Sequence, residues 1–336
     1  MAKPAISVII ASDRTGPELH ACLRSLQSQA DAPPFEVLVA SAAEPPTVPG
    51  LLVGWVRCSE RNPALRRNRA ADFAAGDALA FLDDDARAAP DWVSKAAETA
   101  KIDRIFGGRD LLPPGSTIPE RISDLLLATP VIGSGVAAHE RSPRRGLIRR
   151  ASDLSLCNLV VERSLFDALG GFDESLGYIG EDTDFIGRAM AAGEEPSLQP
   201  DLVVFHDRRR FPWAFLRQRW RYRWKTGRLL VEKPSSLPKG LIYGFLAAGL
   251  AAAASTVFLG PRFVALAGGL YAIGVWAFSF PIWRRDPVLF PLAPFGFAVH
   301  HGNYWAATVA GLFSALVRAP GHHNRSSAGP AAKAIS

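Results

Sequence analysis

The chain is short of several things that mark other classes of protein. It has three cysteines in 336 residues, Cys22, Cys58 and Cys157, far apart and odd in number. They show no paired metal-ligand spacing. Reduced thiols in a reducing compartment are expected. The N-terminal MAKPAISVIIASDR lacks a long apolar core and a cleavage site, so it reads as a strand and not as a signal peptide. Net charge is +6 and the pI about 9.5. Yet there is no basic repeat or RNA-binding motif, and no nucleic-acid partner is expected. Charge is also scarce late in the chain. From Leu241 to Val317 the charged residues are Arg262, Arg284, Arg285 and Asp286 alone. A polar domain followed by an apolar region is the first division.

What is present begins with strand and helix signals in alternation. AISVII (5–10), FEVLVA (35–40), WVRCSE (55–60) and DALAFL (77–82) read as strands. PELHACLRSLQSQ places Leu19, Cys22, Leu23 and Leu26 at helical spacing. LRRNRAADFAAG (65–76) is helical too, with Gly76 as its expected C-cap. Such alternation predicts a mostly parallel sheet with helices on both faces, whose ligands bind beyond the carboxyl ends of the strands. Residues 107–150, rich in Gly, Pro and Arg, are expected to form a long irregular region. Order resumes with LCNLVVERSLFDALGGFDE, a helix opening at GEDTD, and a late strand LVVFHD (202–207).

Several residues carry candidate chemistry. FLDDDA ends a buried strand with three carboxylates, and Asp83 and Asp85, two apart, face the same way. At ~7 Å and an effective dielectric of about 20 their repulsion is roughly 2 kcal/mol. A hard divalent cation between them would offset that, and such ions combine carboxylates with substrate phosphates. The plain alternative is a solvated acidic turn before a helix. Glu181 and Asp182 open a helix, where carboxylates are stabilised by the helix N-terminus. They are equally suited to take a proton from an attacking hydroxyl. His206 follows the strand LVVF, as a structural histidine or as a metal ligand beside Asp85. Arg67 either pairs with a diphosphate or lies on a solvated helix face.

The order and spacing of these pieces resemble the family-two glycosyltransferases of the GT-A fold. ISVIIASDR, PELHACLRSLQSQ, FEVLVAS, LRRNRAADFAAGDALAFLDDDA and CNLVVERSLFDALGGFDESLGYIGEDTDFIGRAMAAG carry the likeness, over about residues 5–210. The resemblance implies a nucleotide-sugar donor, a Mg²⁺ or Mn²⁺ cofactor and inverting transfer. It assigns Asp83 and Asp85 to the Asp-x-Asp motif, with Asp83 nearer the nucleotide and Asp85 the metal contact. It assigns Asp182 as catalytic base with Glu181 beside it, Arg67 to the nucleotide side and His206 to the metal. Two positions depart from the family's pattern. Ser41 stands where members often carry a base-reading Asp, and the first loop, ASDRT, offers Asp13. The Gln-x-x-Arg-Trp of processive synthases is not reproduced by QRWRYRW.

WAFLRQRWRYRWKTGRLLVE places Trp213, Leu216, Trp220, Trp224 and Val231 on one helical face with Arg on much of the rest. It reads as an interfacial amphipathic helix or an ordinary surface helix. Leu241–Pro261 and Phe263–Trp283 each match a bilayer core of ~30 Å at about 1.5 Å per residue. Pro287–Val317 is longer, holds His300, His301 and Asn303, and reads as one tilted helix or a broken, re-entrant pair. Those polar residues would touch a lipid headgroup or bond a neighbouring helix. Arg284 and Arg285 outweigh Arg262, which predicts that residues 1–239 face the cytoplasm of a multi-pass inner-membrane protein. The expected organisation is a GT-A domain (1–210), an interfacial helix and linker (211–239), a membrane region (240–318) and a flexible tail (319–336). The expected partners are the donor, a lipid-linked or polysaccharide acceptor and membrane lipids. A soluble acceptor, or a non-catalytic nucleotide-sugar-binding scaffold, is the alternative.

Overall fold

The computed structural model describes residues 3–129, 145–176, 179–232 and 260–318, with scattered positions between 243 and 254. The chain first builds β1 (Ile6–Ser12), α1 (Pro17–Gln27), β2 (Phe35–Ser41), β3 (Val53–Arg57), α2 (Pro63–Phe73), β4 (Ala78–Asp83) and β5 (Ala86–Ala88). α3 (Trp92–Ala100), β6 (Ile105–Leu111), α4 (Ile118–Ala128), β7 (Gly146–Leu147), β8 (Asn158–Glu162) and β9 (Ser197–His206) follow. Helices also form at Arg163–Ala168, Glu181–Ala191, Trp213–Glu232, Gly260–Trp283 and Ala293–Arg318. The strands order as β3-β2-β1-β4-β8-β6-β9-β5, with β7 beside β9.

Side-chain alternation along β1 shows why the sheet is covered on both faces. Val8 and Ile10 pack with Leu19 and Leu23 of α1, whereas Ile9 joins Leu38, Phe81, Phe166 and Phe185 on the other side. Successive strand residues point to opposite faces, so an unbroken apolar run means two buried faces. On the second face Phe172 packs edge-on against Phe81 at 5.0 Å and tilted against Phe185 at 5.1 Å. This cluster fastens the GGFDE segment beneath β4.

The sheet is less parallel than expected. β1 runs parallel to β2 and β4, and β2 to β3. Beyond β4, however, β8 is antiparallel to both β4 and β6, and β5 is antiparallel to β9. The long crossing segments let β8 enter from the opposite direction, which hydrophobic patterning alone does not encode. Residues 107–150 are also more ordered than expected. They hold most of β6 and all of α4, whose Thr117–Glu120 capping box starts it. Residues 130–144 lie outside the described part.

α2 begins earlier than the sequence signal. The Asn62 side chain accepts from Ala64 N and Leu65 N at 3.1 and 3.3 Å, and the helix ends at Phe73, short of Gly76. Gly76 has another task. A Cβ there would lie 2.7 Å from Ser7 N, so glycine allows the backbone to press against β1. The last strand is longer than LVVFHD and bulged, its register with β6 shifting between Gly108 and Arg109. Buried Asn158 holds that bulge, donating to Leu202 O at 2.8 Å and Arg109 O at 3.1 Å while accepting from Trp92 Nε1 at 2.8 Å.

By its internal contacts the chain falls into two units, 1–217 with 265–299 and 218–264 with 300–336. Within the first, Leu126 and Phe215 pack with Trp283 and Phe297. Ala265–Trp283 is the single helix among the described residues that is long and apolar enough to cross a membrane. The stretch Pro287–Val317 forms a 3-10 turn, Phe290–Leu292, and then one unbroken helix, Ala293–Arg318. It does not reach the same apolarity, because His300, His301 and Asn303 interrupt it. Most of Leu241–Pro261 and all of 319–336 lie outside the described residues.

Candidate active site

Strand register assembles the site. Ser12 of β1 stands beside Ser41 of β2, and Ala11 beside Asp83 of β4, so three carboxyl ends meet at one edge. β5 then turns back against β9 with Ala86 opposite His206. That pairing brings a residue over a hundred positions away to the acidic turn. One oxygen each from Asp83 and Asp85 and one nitrogen of His206 lie within 4.8 Å of one another. His206 Nε2 is 2.9 Å from Asp85 Oδ1. The acidic turn leads into a short strand and not into a helix, so the helix-capping alternative fails. Asp84 points away from this group and accepts from the Ser12 hydroxyl. Burial pushes its carboxyl up to about 6, against the pull of that hydrogen bond.

Behind His206 lies a buried charge chain that the sequence did not signal. His206 Nδ1 faces Asp110 Oδ2 at 3.6 Å. Asp110 is in turn gripped by Arg208 at 2.8 and 2.9 Å, and Arg208 reaches Asp124 at 2.7 Å. Burial alone would lower His206 and raise Asp110 and Asp85. The opposite charges outweigh it, holding His206 well above its ordinary value and both carboxylates below theirs. Arg209, more exposed, adds a contact to Asp85 at 3.2 Å. Arg208 and Arg209 stood in plain view in HDRRR. Asp110 lay in a region read as irregular, and only the parallel β6–β9 pairing explains its position. Arg208→Met strands a buried carboxylate, so it is expected to cost about 3–5 kcal/mol. Urea unfolding checks this.

The second acidic group is joined to the first by Arg67. This residue is 6% exposed, which rules out the solvated-face reading. It donates to Asp83 at 2.9 Å and to Glu181 at 3.2 Å. Its neighbour Asn68 donates to Phe172 O and accepts from Phe172 N, both at 2.9 Å. One turn of α2 therefore holds both the Asp-x-Asp strand end and the GGFDE…GED segment. Gly180, at φ +86°, turns the chain into the helix Glu181–Ala191. Asp182, half-buried, accepts from Thr183 N at 2.7 Å. Burial raises Asp182, and burial with the adjacent Asp182 pushes Glu181 up to about 7 in spite of Arg67.

The remaining expected residues sit at the rim. Asp13 pairs with the otherwise buried Arg66, which also donates to Ser12 O at 2.6 Å. Ser41 is buried, and its hydroxyl donates to Ala43 O, shaping the loop after β2. Two carboxylates are hard donors that suit Mg²⁺ or Mn²⁺, the imidazole is a borderline donor that a divalent transition-metal ion such as Mn²⁺ accepts, and a cation there would displace the proton on His206.

A carboxylate–histidine cluster thus lies at the carboxyl edge of this sheet, joined through an arginine to an acidic helix start, and likeness to known proteins shows the molecule to be a glycosyltransferase. The chain belongs to glycosyl transferase family 2, whose profile matches residues 7–116. It is 31% identical over 246 residues to the succinoglycan biosynthesis protein ExoM of Rhizobium meliloti (strain 1021), spanning 66% of this chain and 74% of that one. In fold it is similar to the mannosyltransferase PcManGT from Pyrobaculum calidifontis, solved in complex with GDP-Man and Mn²⁺. The TM-score is 0.57 at 18% identity, over 95% of this chain and 88% of the other.

Proposed function

We propose that the protein transfers a sugar, with inversion, from a nucleotide-sugar donor to a lipid-linked acceptor during exopolysaccharide synthesis. Transfer would take place at the cytoplasmic face of the inner membrane. The observation that carries this is the Asp83–Arg67–Glu181 bridge, which couples the donor-side carboxylates to the position of Asp182. Asp182 takes the proton of an acceptor hydroxyl. The hydroxyl oxygen forms its bond to the anomeric carbon as the bond to the nucleoside diphosphate breaks, and the electron pair leaves with the diphosphate. Asp83, Asp85 and His206 would hold a divalent ion, which when bound offsets charge on the leaving group. Asp13, Ser41 and Arg67 are assigned to the nucleotide side, Ser41 through the loop it shapes.

The membrane assignment is supported by the apolar helix Ala265–Trp283 and by the Trp- and Arg-rich helix Trp213–Glu232, on which Trp213 is 79% exposed. The likeness to a succinoglycan protein supports a polysaccharide pathway. The domain limits of 1–210, 211–239, 240–318 and 319–336 belong to the same proposal. The test is a donor screen for nucleoside-diphosphate release by the full chain in membranes containing polyprenyl phosphate lipids, with and without Mn²⁺. Release that requires both lipid and metal is expected. Equal release without lipid overturns the lipid acceptor, and equal release in chelator overturns the metal role.

A further inference from the structure

β6 reaches the carboxyl edge of the sheet beside β9, with Arg109 opposite Val203 and Asp110 opposite Val204. Successive strand residues point to opposite faces. Asp110 faces His206 and Arg208, so Arg109 faces the other side of the sheet. Gly107, two residues earlier on that same side, shows what lies there. A Cβ on it would stand 2.9 Å from the Leu154 side chain. Leu154 packs in one cluster with Phe185 and Ile186, which belong to the helix that Glu181 and Asp182 open. Arg109 therefore shares a face with the base-bearing helix and lies two residues nearer the edge than Gly107.

The backbone at Arg109 is pinned. Its carbonyl accepts from Asn158 Nδ2 at 3.1 Å, and a Cβ on the preceding Gly108 would overlap Leu202 O. The side chain is unengaged. It is half-buried, its Nε is shut off from solvent without a hydrogen-bond partner, and no ion pair reaches its guanidinium among the described residues. Other arginines of this domain that are withdrawn from water hold protein acceptors. Arg67 has Asp83 and Glu181, Arg163 has Gly76 O, and Arg188 has Asp184 and Gly171 O. Arg208 has Asp110 and Asp124. A partly buried cation with no acceptor costs free energy, which a ligand's oxyanion would offset. The guanidinium fork matches phosphate oxygens through paired, charge-assisted hydrogen bonds. Asp83, Asp85 and His206 already provide for the donor's diphosphate through a cation, so the phosphate left to Arg109 is the acceptor's.

We infer that Arg109 binds a phosphate group of the acceptor and thereby orients the hydroxyl that Asp182 deprotonates. The acceptor as its source rests on the lipid-linked reading above. The anion contact itself rests on the unengaged guanidinium.

The test uses the full chain in phosphatidylcholine nanodiscs, in EDTA to silence metal-dependent binding at Asp83 and Asp85. Farnesyl phosphate, glucose 1-phosphate and farnesol are the probes. Farnesyl phosphate is expected to bind at least about tenfold more tightly than farnesol, as charge-assisted hydrogen bonds require. Arg109→Gln should remove most of that difference, and Arg109→Lys, which keeps the charge but not the fork, should retain part of it. Arg24→Gln removes the same charge from an exposed position and should leave the difference in place. Both Arg109 variants should unfold in urea at the parent's midpoint or above it, because no protein contact is lost. A lower midpoint makes Arg109 a structural residue and overturns the site. So does equal binding of farnesol and farnesyl phosphate, or equal loss in Arg24→Gln. Glucose 1-phosphate binding as tightly as farnesyl phosphate keeps the anion contact and overturns the lipid as its source. A separate titration with nucleoside diphosphate and Mn²⁺ should give the same affinity in Arg109→Gln as in the parent. A loss there moves Arg109 to the donor side and overturns the acceptor assignment. None of these readouts depends on turnover, so failure here is distinct from failure of the sugar-transfer reading.

Discussion

Asp182→Asn is expected to lower sugar transfer by about 10²–10⁴-fold, the usual worth of a positioned general base. Donor affinity should change little. The argument is geometric first. Asp182 opens the helix Glu181–Ala191, and its neighbour Glu181 is tied through Arg67 to Asp83 at the strand end. The substitution keeps the shape of the side chain and its bond from Thr183 N, but removes the basic oxygen. Burial raises Asp182 from its ordinary value, which makes the ionised form a stronger base. The sign follows: activity should fall as pH drops through that raised value, since the base must be unprotonated to act. Steady-state turnover across pH, with nucleoside-diphosphate titration alongside, checks both parts. Unchanged turnover in the variant would sink the assignment. A matching loss of donor affinity would place Asp182 in donor binding instead.

Asp85→Ala is expected to abolish the metal-dependent part of nucleoside-diphosphate affinity. Asp85 touches His206 and Arg209, and it shares the 4.8 Å donor cluster with Asp83. Removing it leaves one carboxylate and one imidazole, too few protein ligands to hold a hard ion well. Asp110→Asn, one step further back, should cost about 10–100-fold in Mn²⁺ affinity, because it loosens the ring orientation of His206. Asp124→Asn touches Arg208 but not His206, so it separates lost orientation from lost stability. Calorimetry of Mn²⁺ and nucleoside diphosphate, together and singly, reads each case. If the parent binds the nucleotide equally with and without metal, the metal role fails for the whole cluster.

The local readings that succeeded were those with local causes. Buried strands at 5–10, 35–40 and 77–82 showed themselves as apolar runs, and the observed strands overlap each of them. The acidic stretches around Asp83 and Asp182 were visible because like charges in sequence need a reason in any fold. What was missed depended on partners far along the chain. Gly76 looked like a helix cap because nothing local reveals that Ser7 presses on it. Residues 107–150 looked irregular because Gly108 is a close-packing glycine between β6 and the bulge of β9, not a loop residue. Asp110 carried no signal, since its role comes from His206 and from Arg208, 98 residues further along the chain.

By itself, then, the sequence determined the class of fold, the two acidic groups and the division between a polar domain and an apolar region. Periodicity, burial and charge repulsion are properties of neighbouring residues, and they are written in order along the chain. Only the tertiary structure decided that Arg67 joins the two acidic groups. Only there does His206 meet Asp85 through the β5–β9 register, and does a buried ion chain stand behind it. Those contacts bridge separations of about a hundred residues, where strand direction and register choose the partners and no local pattern records the choice.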